Sequence, residues 1–333
     1  MPSPPYPLSP EIIPLLDKQY EAFYNQYIIN QQQVHYQPVE ASRTSGTLIP
    51  GASEPLEVAS TKDYSIERTE TEGPPVAVRV FTPKGDAPEG GWPIFLYMHG
   101  GGWVLGNINT ENVHCTYWAN KGGCITVTVD YRLAPEHPYP AAVEDTWEAY
   151  KWVLANGKSL GGNVDKIAAG GSSAGGNLTA VLTQMVAERS LGKIMFQVLI
   201  VPVTDNTADE RYESWKKFGE ITPALPAPKM IWYRVRYLPD EATRTEPHAS
   251  PIFGSDDILA QCPPAFCAYA GLDVLRSEGE AYAARLRKVG VHTEEKVYEG
   301  VPHVVMAMNG VLDKGQELVE DVCAKLHQAF YGA

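Results

Sequence analysis

A glycine-flanked serine pair in the middle of the sequence could supply a nucleophile. Gly171–Gly175, which reads GSSAG, directly follows the β-rich run Lys166–Ala169 and precedes a helical stretch near 175–188. A serine on such a strand-to-helix turn, here Ser173, presents its hydroxyl at the carboxyl edge of a sheet, where it can attack an acyl carbon. A glycine-rich turn that performs no chemistry is the alternative interpretation of the same residues.

A run of three glycines could stabilise the negative charge that such an attack creates. It lies in His99–Trp103, which reads HGGGW and follows the apolar run Pro93–Met98. Core packing does not explain three consecutive glycines, because Gly loses more conformational entropy on folding than any other residue. Backbone N–H groups of this loop and of Ala174 are therefore expected to bind an oxyanion, with His99 as a structural anchor of the loop. A phosphate-binding loop is the competing interpretation, but its GxGxxG spacing and its following Lys are both absent.

The positions of the histidines select one candidate base. When strands and helices alternate, acyl-transfer residues of this type follow the chain order Ser, then Asp or Glu, then His. His303 follows the β-rich run Glu294–Tyr298, so it belongs at the same sheet edge as the candidate nucleophile. His292 precedes that run and His327 falls in a helical stretch, so neither is expected at this edge.

The same argument selects one acid. Asp273 comes immediately after the run Ala265–Ala270, whereas Glu278 and Glu280 already belong to the next helical stretch. A carboxylate at this place can hold the imidazole of the base in the correct tautomer. The predicted catalytic triad is therefore Ser173, Asp273 and His303.

The segments that must position these residues alternate between β-rich runs and helical stretches. The strand candidates are Tyr64–Thr69, Val76–Phe81, Pro93–Met98, Cys124–Val129, Lys166–Ala169, Phe196–Val201, Ala265–Ala270 and Glu294–Tyr298. Helical stretches are expected near 110–121, 142–155, 175–188, 277–288 and 315–330. Several strand candidates are apolar at every position, which is typical of strands covered on both faces. The pattern predicts an α/β fold with a mostly parallel eight-stranded sheet, helices on both faces and antiparallel strands at the start.

Two segments do not follow this alternation. Residues 1–60 contain a helical pattern from Ser9 to Tyr27 with an aromatic face, followed by a polar arm. Residues 204–245 are rich in Pro and aromatic residues. Open α/β sheets bind their ligands beyond the carboxyl ends of the strands, so an insertion at this place is a candidate lid.

Composition limits the partners and the compartment. The 333 residues include 27 Lys+Arg against 40 Asp+Glu, a net charge of −13, which disfavours nucleic acid as a partner. Five scattered Cys are expected to be reduced thiols, and no ligand spacing predicts a metal or another cofactor. No apolar run of 18 residues and no signal-peptide pattern occur, so we expect a cytoplasmic protein without a membrane anchor, possible as a homodimer.

Taken together, the motifs resemble the hormone-sensitive-lipase-like branch of the α/β-hydrolases, which includes carboxylesterases. The resemblance covers roughly 75–330 and rests on five segments: HGGGW at 99–103, DYRLAPEHPYPA at 130–141, GSSAG at 171–175, the acid motif at 271–283 and GVPH at 300–303. It implies an α/β-hydrolase fold with a helical cap. The cap would use residues 1–60 and 204–245, and the catalytic domain residues 61–203 and 246–333.

The resemblance also implies site roles and an activity. The matching positions are the nucleophile Ser173, the acid Asp273, the base His303 and an oxyanion hole of Gly101, Gly102 and Ala174. The implied activity is hydrolysis of short- to medium-chain acyl esters, a small-molecule substrate, through an acyl-enzyme. An amide hydrolase, such as a deacetylase or arylformamidase, is the alternative on the same triad. A small-molecule receptor is a further alternative, since a plant gibberellin receptor uses this fold without the catalytic His, but His303 is present here.

Three departures from the family pattern concern the surroundings of the site. Ser172 stands where the family often has Asp, which predicts the loss of a carboxylate beside the nucleophile. Val274 and Ser277 replace a Pro and a second Asp, and Val304-Val305 replaces Gly-Phe.

Two expectations concern side chains around these motifs. The candidate pocket residues are Trp103, Tyr24, Trp232 and Val304. In the loop at 130–141, Arg132 and Glu136 are expected to pair.

Overall fold

The computed structural model describes residues 5–45 and 49–332, and its centre is one eight-stranded sheet. The strands run in the order β1-β2-β4-β3-β5-β6-β7-β8; only β1 and β2 pair antiparallel to their neighbours, and all other pairs are parallel. This confirms the mostly parallel eight-stranded sheet. The strands are β1 Ser60–Ile66, β2 Val76–Thr82, β3 Trp92–Met98, β4 Ile125–Asp130, β5 Gly162–Ser172, β6 Phe196–Ile200, β7 Ala265–Ala270 and β8 Thr293–Tyr298.

Helices cover the sheet, as its apolar strands require. Every residue of β6 and of β7 is buried, so side chains that point to either face need a covering layer. Helices α3 and α10 pack against each other, and α4 packs against α5. The α-helices are α1 Lys18–Phe23, α2 Val39–Ser45, α3 Asn112–Gly122, α4 Ala141–Asn156, α5 Ala174–Arg189, α6 Glu213–Phe218, α7 Ala227–Tyr237, α8 Asp256–Leu259, α9 Arg276–Lys288 and α10 Asp313–Tyr331. In the described ranges, none of them is both long enough and apolar enough to cross a bilayer.

The N-terminal segment forms several short helical elements instead of the one helix that its sequence periodicity predicts. The prediction of a single helix from Ser9 to Tyr27 is wrong. A short 3₁₀ turn at Ile13–Leu15 comes first, and α1 follows it and continues into a π-helical turn at Tyr24–Ile28. Asp17 caps the N-terminus of α1, since its carboxylate accepts the Gln19 N–H at 2.8 Å. The Asp17 N–H donates to the Gly300 carbonyl at 2.7 Å, which ties this break to the loop before His303.

The expected Arg132–Glu136 pair is also wrong. The Arg132 guanidinium instead binds Glu144 and Asp145 at the start of α4, at 2.8 and 2.9 Å. Glu136 pairs with Arg43 of α2, whose Nη1 and Nη2 atoms donate to its carboxylate at 2.9 and 2.7 Å. Residues close together in a tight loop can point in different directions, and Arg132 and Glu136 each pair with a residue of another element. The Arg43–Glu136 pair attaches the N-terminal segment to the loop at 130–141.

Candidate active site

Ser173 lies at the sharp turn between β5 and α5. Its φ of 54° and ψ of −113° lie outside the regions that non-glycine residues prefer, so the backbone is strained there. Neighbouring elements hold this conformation: the Ser173 N–H donates to the Ile200 carbonyl of β6 at 2.8 Å. This strained conformation exposes the Ser173 hydroxyl at the carboxyl edge of the sheet, as a nucleophile elbow requires.

The glycine after the elbow is required by a close approach of two elements. A Cβ at Gly175 would lie 1.9 Å from the Met98 carbonyl oxygen at the end of β3. Because that contact is with backbone, no side-chain rotation relieves it. Gly175→Ala is therefore expected to destabilise the protein by about 3 kcal/mol or more in chemical denaturation.

Gly161→Ala is the matched control for that prediction. A Cβ at Gly161 has open space around it, although its φ is +82°. This variant should lose only about 1 to 2 kcal/mol, from the left-handed backbone alone. Equal losses in the two variants would contradict the close-packing explanation.

Three side chains from three loops form one hydrogen-bonded chain at this edge. The His303 Nε2 atom lies 2.9 Å from the Ser173 Oγ, and its Nδ1 atom lies 2.7 Å from Asp273 Oδ2. The other carboxylate oxygen of Asp273 accepts the Leu275 N–H at 3.1 Å. All three side chains are buried. The arrangement allows His303 to take a proton from Ser173 while Asp273 orients the ring.

The sheet topology explains why these residues meet. Ser173, Asp273 and His303 follow β5, β7 and β8, three parallel strands whose carboxyl ends share one edge. His292 lies at the opposite end of β8 and His327 within α10, away from this edge. Among the described residues, no group of three or more His, Cys, Asp or Glu side chains is placed to hold a metal ion.

The glycine loop after β3 presents free N–H groups beside the elbow. Gly101 and Gly102 have φ of +124° and +61°, and a Cβ at Gly101 would lie 2.2 Å from the Leu105 carbonyl oxygen. Within residues 5–45 and 49–332, the N–H groups of these two glycines donate to no protein acceptor. Ala174, the first residue of α5, has its N–H at the unsatisfied end of that helix. The three predicted oxyanion positions thus carry backbone donors that are available to a ligand.

His99 braces this loop from inside the protein. Its ring is fully buried and stacks on Tyr131 with the ring centres 4.3 Å apart. The Nδ1 atom lies 2.7 Å from the Gly100 carbonyl oxygen, which accepts from it. Burial lowers the pKa of His99 to about 4, so the ring is neutral at neutral pH.

A cavity of about 310 Å³ opens onto Ser173 and His303. Val304, which follows His303 in the chain, lines this cavity. Many of the other lining residues come from α1, α7 and the loops near them, and they include Tyr20, Phe23, Leu225, Met230 and Tyr233. Several residues of 105–114 and Met308 also line it. The N-terminal segment and the 204–245 segment therefore both contribute walls to the cavity above the nucleophile.

Three predicted pocket residues do not line this cavity. Trp103 is fully buried and stacks on Tyr237 with the ring centres 4.2 Å apart. The Tyr24 hydroxyl instead donates to the Tyr6 carbonyl, near the N-terminus, at 3.0 Å. Trp232 packs under the Arg236 guanidinium, 3.8 Å from the ring centre. In the two helical segments, the rotation of the helix places neighbouring residues such as Phe23 and Tyr233 in the cavity, and in the glycine loop Gly102 lines it rather than Trp103.

Glu111 is a residue of the site that the sequence analysis missed. The Ser172 hydroxyl donates to its Oε1 atom at 2.7 Å. The expectation that no carboxylate would stand beside the nucleophile is therefore wrong, because Glu111 supplies one from the loop before α3. No local sequence signal indicated it, since the contact joins residues 61 positions apart in the chain.

Comparison with known proteins agrees with this geometry. A family model described as alpha/beta hydrolase fold matches residues 95–307, which is more than half of the chain. The chain belongs to the α/β-hydrolase family. The resemblance to its hormone-sensitive-lipase-like branch is thereby confirmed.

Individual α/β-hydrolases match over nearly the whole chain. An AB hydrolase superfamily protein from Schizosaccharomyces pombe is 48% identical and covers 97% of both chains. An ethyl acetate hydrolase from Pseudomonas putida is 33% identical, over 85% of this chain and 87% of its own. The solved structure of a hyperthermophilic esterase from the archaeon Pyrobaculum calidifontis superposes with a TM-score of 0.84 at 34% identity, over 97% of this chain and 98% of that chain.

Proposed function

We propose that the protein is a serine carboxylesterase that hydrolyses esters through an acyl-enzyme. The observation that carries the proposal is the hydrogen-bonded chain from Ser173 through His303 to Asp273, beside a loop with free N–H groups. The names of similar α/β-hydrolases, among them an ethyl acetate hydrolase and an esterase, support the same reaction.

The proposed mechanism has two half-reactions on the same residues. In the first, His303 Nε2 takes the hydroxyl proton of Ser173 while Oγ bonds to the ester carbon, and the oxyanion accepts hydrogen bonds from the Gly101, Gly102 and Ala174 N–H groups. His303 then gives its proton to the alcohol oxygen as the carbon–oxygen bond breaks. In the second, His303 takes a proton from water, hydroxide adds to the acyl carbon, and the acid leaves as Ser173 regains its proton.

We infer that segments 1–60 and 204–245 act as a cap over a catalytic domain formed by 61–203 and 246–333. The walls that α1 and α7 contribute to the cavity support this division. A covered, largely apolar cavity of about 310 Å³ suits a neutral ester of short to medium acyl length.

An acyl-length series of p-nitrophenyl esters, run beside matched aryl amides, tests the proposal. We expect the highest kcat/KM for short to medium esters, with amides much slower. A steep preference for long, emulsified chains would contradict the covered cavity. Faster turnover of the amides would support the amide-hydrolase alternative instead, because the same triad serves both leaving groups.

Covalent labelling separates an enzyme from a receptor on the same fold. An organophosphate should modify Ser173 stoichiometrically, as located by peptide mass mapping, since His303 lies 2.9 Å from its Oγ. Absence of labelling together with absence of ester turnover would favour a non-catalytic receptor.

A further inference from the structure

Glu111 has a backbone conformation that directs its side chain away from its own helix. It is the N-cap residue of α3, with φ of 63° and ψ of 17°, a left-handed conformation that is uncommon for a residue with a side chain. The side chain of an N-cap residue often accepts an N–H of the first turn, but the Glu111 side chain makes no capping bond. Strain without a local benefit indicates that the side chain has a use elsewhere.

The Glu111 carboxylate joins the two halves of the proposed active site. Its Oε1 atom accepts the Ser172 hydroxyl at 2.7 Å, directly before the nucleophile. Its Oε2 atom accepts the Tyr97 hydroxyl of β3, also at 2.7 Å. The carboxylate also lies beside Gly100 of the oxyanion loop, whose backbone N–H acts to lower its pKa. A Cβ at Gly100 would lie 2.6 Å from Ser172 Oγ and 3.3 Å from Glu111 Oε1, so loop, elbow and carboxylate are in close contact.

The same carboxylate interacts electrostatically with the proposed base. The titratable groups that interact with it are His303, Tyr97 of β3, Cys115 of α3 and Tyr131 after β4. Burial raises the pKa of Glu111, while hydrogen bonds from Ser172, Tyr97 and the Gly100 N–H act in the opposite direction. In its ionised form Glu111 attracts the positive charge that His303 carries after attack by Ser173.

We propose that Glu111 is a positioning residue that holds the oxyanion loop against the nucleophile elbow and stabilises the charge that develops on His303. This rests on the proposed hydrolase function. Glu111 is placed to touch Ser172 and Gly100, the residues before the nucleophile and before the oxyanion glycines. Small shifts of either would misplace the reacting atoms, and errors of about 1 Å can cost about 100-fold in rate.

Glu111→Gln tests the charge and Glu111→Ala tests the positioning. Gln keeps an oxygen for Ser172 but removes the charge, so the part of the kcat pH profile that follows ionisation of the Glu111 carboxyl, whose pKa burial raises, should be lost. Ala removes the contacts as well, and we expect kcat to fall about 10-fold to 100-fold with little change in KM.

Glu148→Gln is the matched control, because Glu148 is a buried carboxylate of α4 that accepts the N–H groups of Thr69, Glu70 and Thr71 far from the triad. It should lower the melting temperature without moving the pH profile. If the Glu111 variants behave in the same way, with wild-type kcat and pH profile, Glu111 is only structural and the inference is overturned. If the unmodified protein hydrolyses no ester, the proposed function has failed instead.

A double-mutant cycle with Ser172 gives a second test. Ser172→Asp would place two carboxylates within hydrogen-bonding distance, and their repulsion should reduce kcat strongly. Adding Glu111→Gln removes one charge and should restore a large part of the lost rate. Additive losses in the double variant would show that the two positions act independently and would overturn the proposal.

Discussion

Ser173→Ala is expected to reduce kcat for p-nitrophenyl ester hydrolysis by about a millionfold, with KM changed little. The neighbouring Ser172 is not expected to replace the missing nucleophile. The neighbouring Ser172 hydroxyl donates to Glu111 at 2.7 Å and belongs to a different contact. The glycine loop would still bind the carbonyl oxygen, so a small residual rate above that in water is expected.

The matched control is Ser159→Ala, at an exposed serine that bonds only to the Asn156 carbonyl of its own turn. Its kcat should equal that of the unmodified protein. Thermal unfolding should show that both variants are folded, since Ser173 makes its structural contacts through backbone groups. A Ser173→Ala protein that keeps a rate near wild type would rule out the acyl-enzyme mechanism.

Asp273→Asn is expected to have the second-largest effect, a fall of about 10⁴-fold in kcat. An amide at this position can donate to Nδ1 of His303, which then holds its proton on Nε2. That tautomer cannot accept the Ser173 proton, although all heavy atoms stay in place. Because Asp273 does not line the cavity, KM should be nearly unchanged.

Asp86→Asn serves as the control for this substitution, because Asp86 is an exposed loop residue. It should have wild-type kinetics. Measurement of kcat across pH extends the test, since a higher hydroxide concentration can partly bypass a missing base. A loss smaller than about tenfold at neutral pH would contradict the orienting role assigned to Asp273.

The sheet shows how far strand-by-strand reasoning extends. All eight strand candidates correspond to strands, because apolar runs bounded by turn residues are strong signals. Their ends were less accurate: β5 starts at Gly162 rather than at Lys166, and β1 starts at Ser60 rather than at Tyr64. The extra residues of β1, Ser60 to Asp63, are polar and partly or fully exposed, and they are strand residues because they pair with β2, for example Ser60 opposite Thr82.

The helices over the sheet edge show where sequence reasoning stops. The resemblance implied that segments 1–60 and 204–245 cover this edge, and residues of both line the cavity. The predicted inward-facing residues Tyr24 and Trp232 were wrong. Tyr233 lines the cavity and Trp232 does not, because adjacent residues on a helix point about 100° apart and packing partners set the rotation.

The sequence by itself determined which three side chains, Ser173, Asp273 and His303, the structure brings together. Chain order and the position of each residue after a strand were sufficient, because the carboxyl ends of parallel strands share one edge. Only the tertiary structure decided which side chains form the cavity walls and that Glu111 supplies the carboxylate beside Ser172. Those contacts join residues distant in the chain, and they depend on helix rotation and on one left-handed backbone angle that no local pattern specifies.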